Sequence, residues 1–145
     1  MTLASPPPIV DDPLTSFFWE GARSGELRIQ RCQSCGTYIH LPRPVCRNCH
    51  SFDLRGEKVS GRATLYTYSL ANKAFHPFFV DRVPYLVATV ELAEQPKLHL
   101  ISNLIGMDEA DVTIGMSLEV DFEVLSPEMT IPVFRATATK AGSGA

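Results

Sequence analysis

No run in this 145-residue chain approaches the roughly 18 apolar residues that a membrane-spanning helix requires. Residues 1–10 have neither a basic start nor an apolar stretch, and Pro6, Pro7 and Pro8 interrupt them. Both absences predict a cytoplasmic protein without a secretory leader or a membrane contact. Neither sign of charge is in large excess: 13 Lys and Arg face 16 Asp and Glu, for a net −3. Nucleic-acid-binding domains are usually strongly basic, so that class is disfavoured. The G-x-S-x-G turn of serine hydrolases and the glycine-rich phosphate loop are missing. Internal repeats are absent apart from two C-x-x-C units.

What the chain does have is enough apolar residue, 45%, for a packed core. Residues 1–10 read as a flexible leader. Asp12 and Pro13 suit a helix start, and Leu14, Phe17 and Phe18 form one apolar face, predicting a helix over 13–23 that Gly25 ends. Such a short helix must dock on something, and core packing is the expected fate of its aromatic residues. Residues 27–30 and 38–41 read as short strands. From residue 59 onward the pattern is β. Residues 63–70, 85–92, 97–105, 117–125 and 130–136 alternate and are rich in β-branched and aromatic side chains. Five strands with one helical turn over 108–111 suit an OB-type barrel, or else a small open sandwich.

The four cysteines are Cys32, Cys35, Cys46 and Cys49, spaced C-x2-C-x10-C-x2-C. Two such knuckles joined by a hairpin bring four thiolates into a tetrahedron. In a reducing compartment they point to a metal rather than to disulfides. Zinc is the expected ion, with iron chemically allowed. A site closed by four thiolates leaves no position for substrate, so the metal is structural, one per chain. Residues 46–50, CRNCH, also match the spacing of covalent haem attachment. A set of four cysteines needs no fifth ligand, and His50 is expected to be a turn residue where a knuckle usually carries a glycine.

The combination resembles the family called domain of unknown function 35. The residues that carry the resemblance are the quartet with Pro42-Arg43, then Pro84-Tyr85-Leu86-Val87-Ala88, Asn103-Leu104-Ile105-Gly106, Ile114-Gly115-Met116 and Pro132-Val133-Phe134-Arg135. The resemblance covers about residues 12–138. It implies a mainly β protein: leader and short N-terminal helix over 1–26, rubredoxin-like zinc ribbon over 27–57, five-stranded OB-fold barrel over 58–138, and a flexible tail over 139–145. It also implies a partner. Family members are accessory subunits of thiolase-like enzymes that act on acyl-CoA, including ketothiolases, acyltransferases and steroid side-chain aldolases. The catalysis belongs to the partner, and the subunit helps bind acyl-CoA as a shared ligand.

Some residues fit that role independently. Residues 22–55 carry six arginines against Glu26 and Asp53. A guanidinium cluster suits phosphates, which makes Arg23, Arg31, Arg43 and Arg47 candidate contacts with CoA or a partner; solvated surface charge is an equally weighted reading. Phe75, His76, Phe78 and Phe79 lie in one connecting loop, where three phenylalanines are unusual, so they are candidates too. His76 is the best-placed base, although no nucleophile or carboxylate pattern accompanies it. His99 reads as a satisfied barrel residue. The alternative function is a single-stranded nucleic-acid-binding OB-fold, with Tyr66 and Tyr68 as stacking residues. Against it, the segment 58–145 holds seven Lys and Arg and ten Asp and Glu.

Overall fold

The computed structural model describes residues 12–127 and 129–137. The leader expected over 1–10 and the tail expected over 139–145 lie outside the described residues.

The first element is a helix, α1 (Ser16–Arg23). It starts three residues later than the composition predicts. Asp12 organises a turn instead: its carboxylate accepts the Leu14 N–H at 2.9 Å, and its carbonyl accepts the N–H groups of Thr15 and Ser16. The helix ends at Gly25 as expected. The Glu26 N–H reaches back to the Gly21 carbonyl at 2.8 Å, and the Gly25 N–H reaches Ala22 at 3.0 Å, which together form a Schellman cap.

A three-stranded antiparallel sheet follows, ordered β2-β1-β3, with β1 (Arg28–Cys32) between β2 (Tyr38–Ile39) and β3 (Leu54–Lys58). The Gln30 carboxamide pins the loop between the knuckles, bonding both the N–H and the C=O of Arg43 at 2.8 Å. The sheet leaves the rest of the fold and returns to it at one point, where the Val59 N–H donates to the Leu27 carbonyl at 2.9 Å.

The remaining strands are β4 (Arg62–Ala71), β5 (Tyr85–Leu92), β6 (His99–Leu104), β7 (Ser117–Ser126) and β8 (Met129–Ala136). They close into a barrel ordered β4-β5-β6-β8-β7, with β6 and β8 parallel and the other neighbours antiparallel. The order is that of an OB-fold, and closure rules out the open sandwich. A 3-10 turn over Glu109–Asp111 sits between β6 and β7. Alternation works as read: along β5, Leu86, Ala88, Val90 and Leu92 point inward and are buried.

Ribbon and barrel share one core. Leu27 and Ile29 pack with Leu65, Val90, Leu92, Leu118 and Phe134, and Phe18 of α1 joins them. Helix α1 lies against β8, β1 and β3. Its Phe17 ring sits directly on Gly56, where any side chain would collide with it.

Candidate metal centre

The two knuckles have the same hydrogen-bond pattern. In the first, the Cys32 N–H donates to Thr37 at 2.9 Å and the Gly36 N–H to Cys32 at 2.9 Å. In the second, the Cys46 N–H donates to Ser51 at 2.9 Å and the His50 N–H to Cys46 at 2.8 Å. Gly36 has φ +80° and His50 has φ +64°. His50 therefore occupies the left-handed turn position that Gly36 fills in the other knuckle, as the sequence predicts. The histidine of CRNCH belongs to the turn.

All four Sγ atoms lie within 4.8 Å of one another. Cys32 and Cys49 are 3.5 Å apart and Cys35 and Cys46 are 3.7 Å apart. A tetrahedron with metal–sulfur bonds of about 2.3 Å has edges of about 3.8 Å, so the thiols fit a four-coordinate ion such as zinc. Their acidities point the same way. The Thr37 hydroxyl and then the Asn48 amide hold the Cys35 thiol down at about 5. Cys49 goes to about 12: the Ser51 backbone pulls it down, but burial and the three neighbouring thiols outweigh that pull. Four thiolates at this spacing are mutually incompatible unless a cation neutralises them. Backbone N–H groups of Asn48 and Cys49 aim at the Cys46 sulfur at 3.3 and 3.5 Å, and the Ser34 hydroxyl bridges to Ser51 at 2.9 Å across the two knuckles.

The arginines do not form one cluster. Arg31 is committed locally: it pairs with Glu57 at 3.3 Å, donates to the Gly36 carbonyl at 3.0 Å and covers the Tyr38 ring. Arg28 pairs with Glu26 and Arg55 with Asp53. Arg43 and Arg47 are exposed on the ribbon, and Arg23 ends α1.

The aromatic loop between β4 and β5 divides in two. Phe78 and Phe79 meet edge to face, Phe79 stacks on Tyr85 at 5.3 Å, and Arg82 covers Phe78. The His76 Nδ1 accepts the Phe78 N–H at 3.1 Å and so caps a 3-10 turn over Pro77–Phe79. Phe75 is 87% exposed, with the Lys73 ammonium over its ring at 5.2 Å.

Two histidines carry buried ring nitrogens that have no hydrogen-bond partner among the described residues. The His99 ring lies tilted against the exposed Tyr66 at 4.4 Å, but among the described residues its buried Nε2 has no hydrogen-bond partner, so it is not the satisfied barrel residue expected. Tyr68 packs against the core. His40 is one of four histidines that the sequence offers as a base, and beside Leu41-Pro42 it matches no motif. Its Nδ1 is likewise buried and without a partner among the described residues, and burial lowers its pKa to about 4. No helix among the described residues is long and apolar enough to cross a membrane.

Two family models match the chain in tandem: ChsH2, rubredoxin-like zinc ribbon domain, over residues 19–55, and ChsH2, C-terminal OB-fold domain, over 56–123. A curated relative named probable enoyl-CoA hydratase alpha subunit, from Thermomonospora curvata, is 40% identical over 120 residues, 83% of this chain and 36% of that protein. Another, the 3-oxo-4,17-pregnadiene-20-carboxyl-CoA hydratase alpha subunit of Mycobacterium tuberculosis, is 33% identical over 108 residues, 74% of this chain and 33% of that protein. The chain thus spans about a third of the length of these relatives. A chain of a solved structure titled Ltp2-ChsH2(DUF35) aldolase superposes with a TM-score of 0.81 at 38% identity, covering 90% of this chain and 98% of that one.

Proposed function

From the premise that this chain belongs to the ChsH2 family of DUF35 proteins, a rubredoxin-like zinc ribbon followed by an OB-fold, we propose that it is a non-catalytic subunit of a thiolase-like enzyme acting on acyl-CoA, of ketothiolase, acyltransferase or steroid side-chain aldolase type. The observation that carries the reading is the solved relative: a DUF35 chain of nearly this length stands in a structure titled as an Ltp2-ChsH2 aldolase. Two CoA-ester hydratase alpha subunits contain a related segment, so the same unit recurs beside CoA-ester chemistry.

In this reading Cys32, Cys35, Cys46 and Cys49 hold one structural zinc. The ribbon is the unit over 27–57 and the barrel the unit over 58–138. Phe75, the loop packed around His76, Phe78 and Phe79, and the ribbon arginines Arg23, Arg31, Arg43 and Arg47 are the contacts assigned to the partner or to the CoA phosphates. Arg43 and Arg47, exposed on the ribbon, are better placed for a phosphate than Arg31, which already has three partners. The assembly is cytoplasmic, where thiols stay reduced.

The test is to mix the purified chain with an Ltp2-type aldolase subunit and measure mass by light scattering, then titrate an acyl-CoA into the complex and into each part. A stable hetero-oligomer that binds the thioester more tightly than the aldolase subunit does alone is the expected result. Two unassociated peaks would overturn the reading.

A further inference from the structure

The ribbon sheet has two edges, and they end differently. On the β2 side the Gln95 carboxamide takes up the N–H and C=O of Tyr38. On the other side β3 has no further strand beside it among the described residues. Its ladder with β1 fixes which of its groups are free. The Gln33 N–H donates to the Asp53 carbonyl at 2.8 Å and the Val59 N–H to the Leu27 carbonyl at 2.9 Å, so residues 53, 55, 57 and 59 turn their main-chain groups toward β1. Leu54, Gly56 and Lys58 turn theirs outward. The Gly56 and Lys58 N–H groups have no hydrogen-bond partner among the described residues, and both residues are exposed.

A bare edge is a template for another strand, and its side chains decide which one fits. Consider two copies of β3 running antiparallel about Gly56. Gly56 then faces its own symmetry mate and Leu54 faces Lys58, and these are the residues whose main-chain groups point outward. The Gly56 and Lys58 N–H groups of each copy reach the Gly56 and Leu54 carbonyls of the other. The residues between them form the closer pairs that share no main-chain bond, and there Arg55 of each copy stands opposite Glu57 of the other. A slide by one residue loses the hydrogen bonds. A slide by two sets Arg55 against Arg55 or Glu57 against Glu57. Charge and hydrogen bonding therefore admit the same single register. The axis itself carries no bulk, because a glycine lies on it. The half-buried Phe17 ring that sits on each Gly56 comes to about 5.5 Å from its mate, the spacing of an aromatic pair.

We propose that β3 is the contact through which two copies of this chain associate, paired antiparallel about Gly56 into one continuous sheet with Arg55–Glu57 pairs on both sides of the two-fold axis. The contact is a short strand and one ring from each copy, so the dimer is a weak one, with a Kd of about 10–100 μM.

Sedimentation equilibrium of the full, metal-loaded chain over a range of concentrations tests this. The expected result is a monomer–dimer equilibrium, with hydrogen exchange at the Gly56 and Lys58 amides slowing as the dimer forms. R55E and E57R should each weaken association at least tenfold, because each sets like charges opposite one another. Mixed in equal amounts they should associate as tightly as the unaltered chain, since opposite charges face each other again. K58P removes only an outward N–H and should also prevent association; it covers the case in which E57R, having lost its bonds to Arg31 and Gln33, fails to fold. A chain that stays monomeric up to about 1 mM overturns the proposal. So does a dimer whose affinity R55E and K58P leave unchanged, which would lie on another surface. A mixture of folded R55E and E57R that remains monomeric overturns the register. Slowed exchange at Gly56 and Lys58 that appears only when an enzyme subunit is added would assign the edge to that subunit and overturn the pairing of copies.

Discussion

Gln95, in the turn between β5 and β6, hydrogen-bonds the backbone of Tyr38 twice: its Oε1 accepts the Tyr38 N–H at 2.9 Å and its Nε2 donates to the Tyr38 carbonyl at 3.0 Å. The carboxamide acts as one residue of an extra strand, capping the free edge of β2 and tying the ribbon to the barrel. Gln95→Ala should cost about 1–3 kcal/mol, since two half-buried backbone groups lose their partners. Gln95→Glu should cost more, because a carboxylate repels the Tyr38 carbonyl that the amide served. Urea midpoints of the two variants check the order.

Cys46→Ser removes a fully buried thiol from the quartet. Loss of metal and of soluble fold is expected, because a structural ion contributes its binding energy to folding. Metal analysis of the intact protein should give about one zinc per chain, and its absorption spectrum should show no Soret band. A soluble, partner-competent Cys46→Ser protein would contradict the structural role.

Metal affinity should rise with pH. At neutral pH Cys35, held at about 5, is already ionised, whereas Cys49 at about 12 still carries its proton. Binding must displace that proton, so uptake acidifies a weakly buffered solution and tightens as pH increases. Proton release measured on adding zinc to the reduced chain tests this directly.

His50→Gly should leave metal stoichiometry unchanged and alter stability by no more than about 1 kcal/mol. It relieves the left-handed cost of roughly 1–2 kcal/mol but adds freedom to the unfolded chain. Gly36→Val, at the matching position, should be clearly destabilising. Thermal melts of the pair would show whether the two knuckles are as equivalent as their hydrogen bonds.

His40 gives the fold an acid-sensitive step. Its pKa falls from 6.5 to about 4 through burial, so between these values the unfolded chain binds a proton that the folded chain refuses. Its contribution is fully present above pH 6.5 and fades as pH falls towards 4, by at most about 3.4 kcal/mol for a shift of this size. His40→Phe should flatten the pH dependence of the urea midpoint across that window.

Much of this architecture was legible in the residues, for identifiable reasons. Strands such as 85–92 alternate strictly, so their period shows both the strand and its buried face. The thiol quartet was equally plain, because knuckle spacing is set by local geometry. The third ribbon strand, β3, escaped notice because Leu54-Arg55-Gly56-Glu57-Lys58 has one apolar residue and a central glycine. That glycine is there to receive Phe17 from another element, a contact no local pattern encodes. The arginines of residues 22–55 do not act as one cluster because Glu57, just beyond that stretch, takes Arg31. The phenylalanines of the β4–β5 loop could not be sorted in advance, because Phe79 finds Tyr85 only after the loop turns back. Nothing in the sequence marks His40, whose isolation is a property of the packed helix and loop.

The hydrogen bond that joins Val59 to Leu27 also bears on the order in which the chain can assemble. Everything that gathers the thiols lies between those two residues, whereas the barrel cannot close until Arg62 meets Glu119. Short loops close at lower entropic cost, and N-terminal units emerge first during synthesis. The ribbon is therefore expected to form while the barrel is still unmade, and to present Leu27 and Ile29 as a seed on which the later strands condense. Zinc scarcity during translation would then limit the yield of the whole protein, including strands that never come near a cysteine.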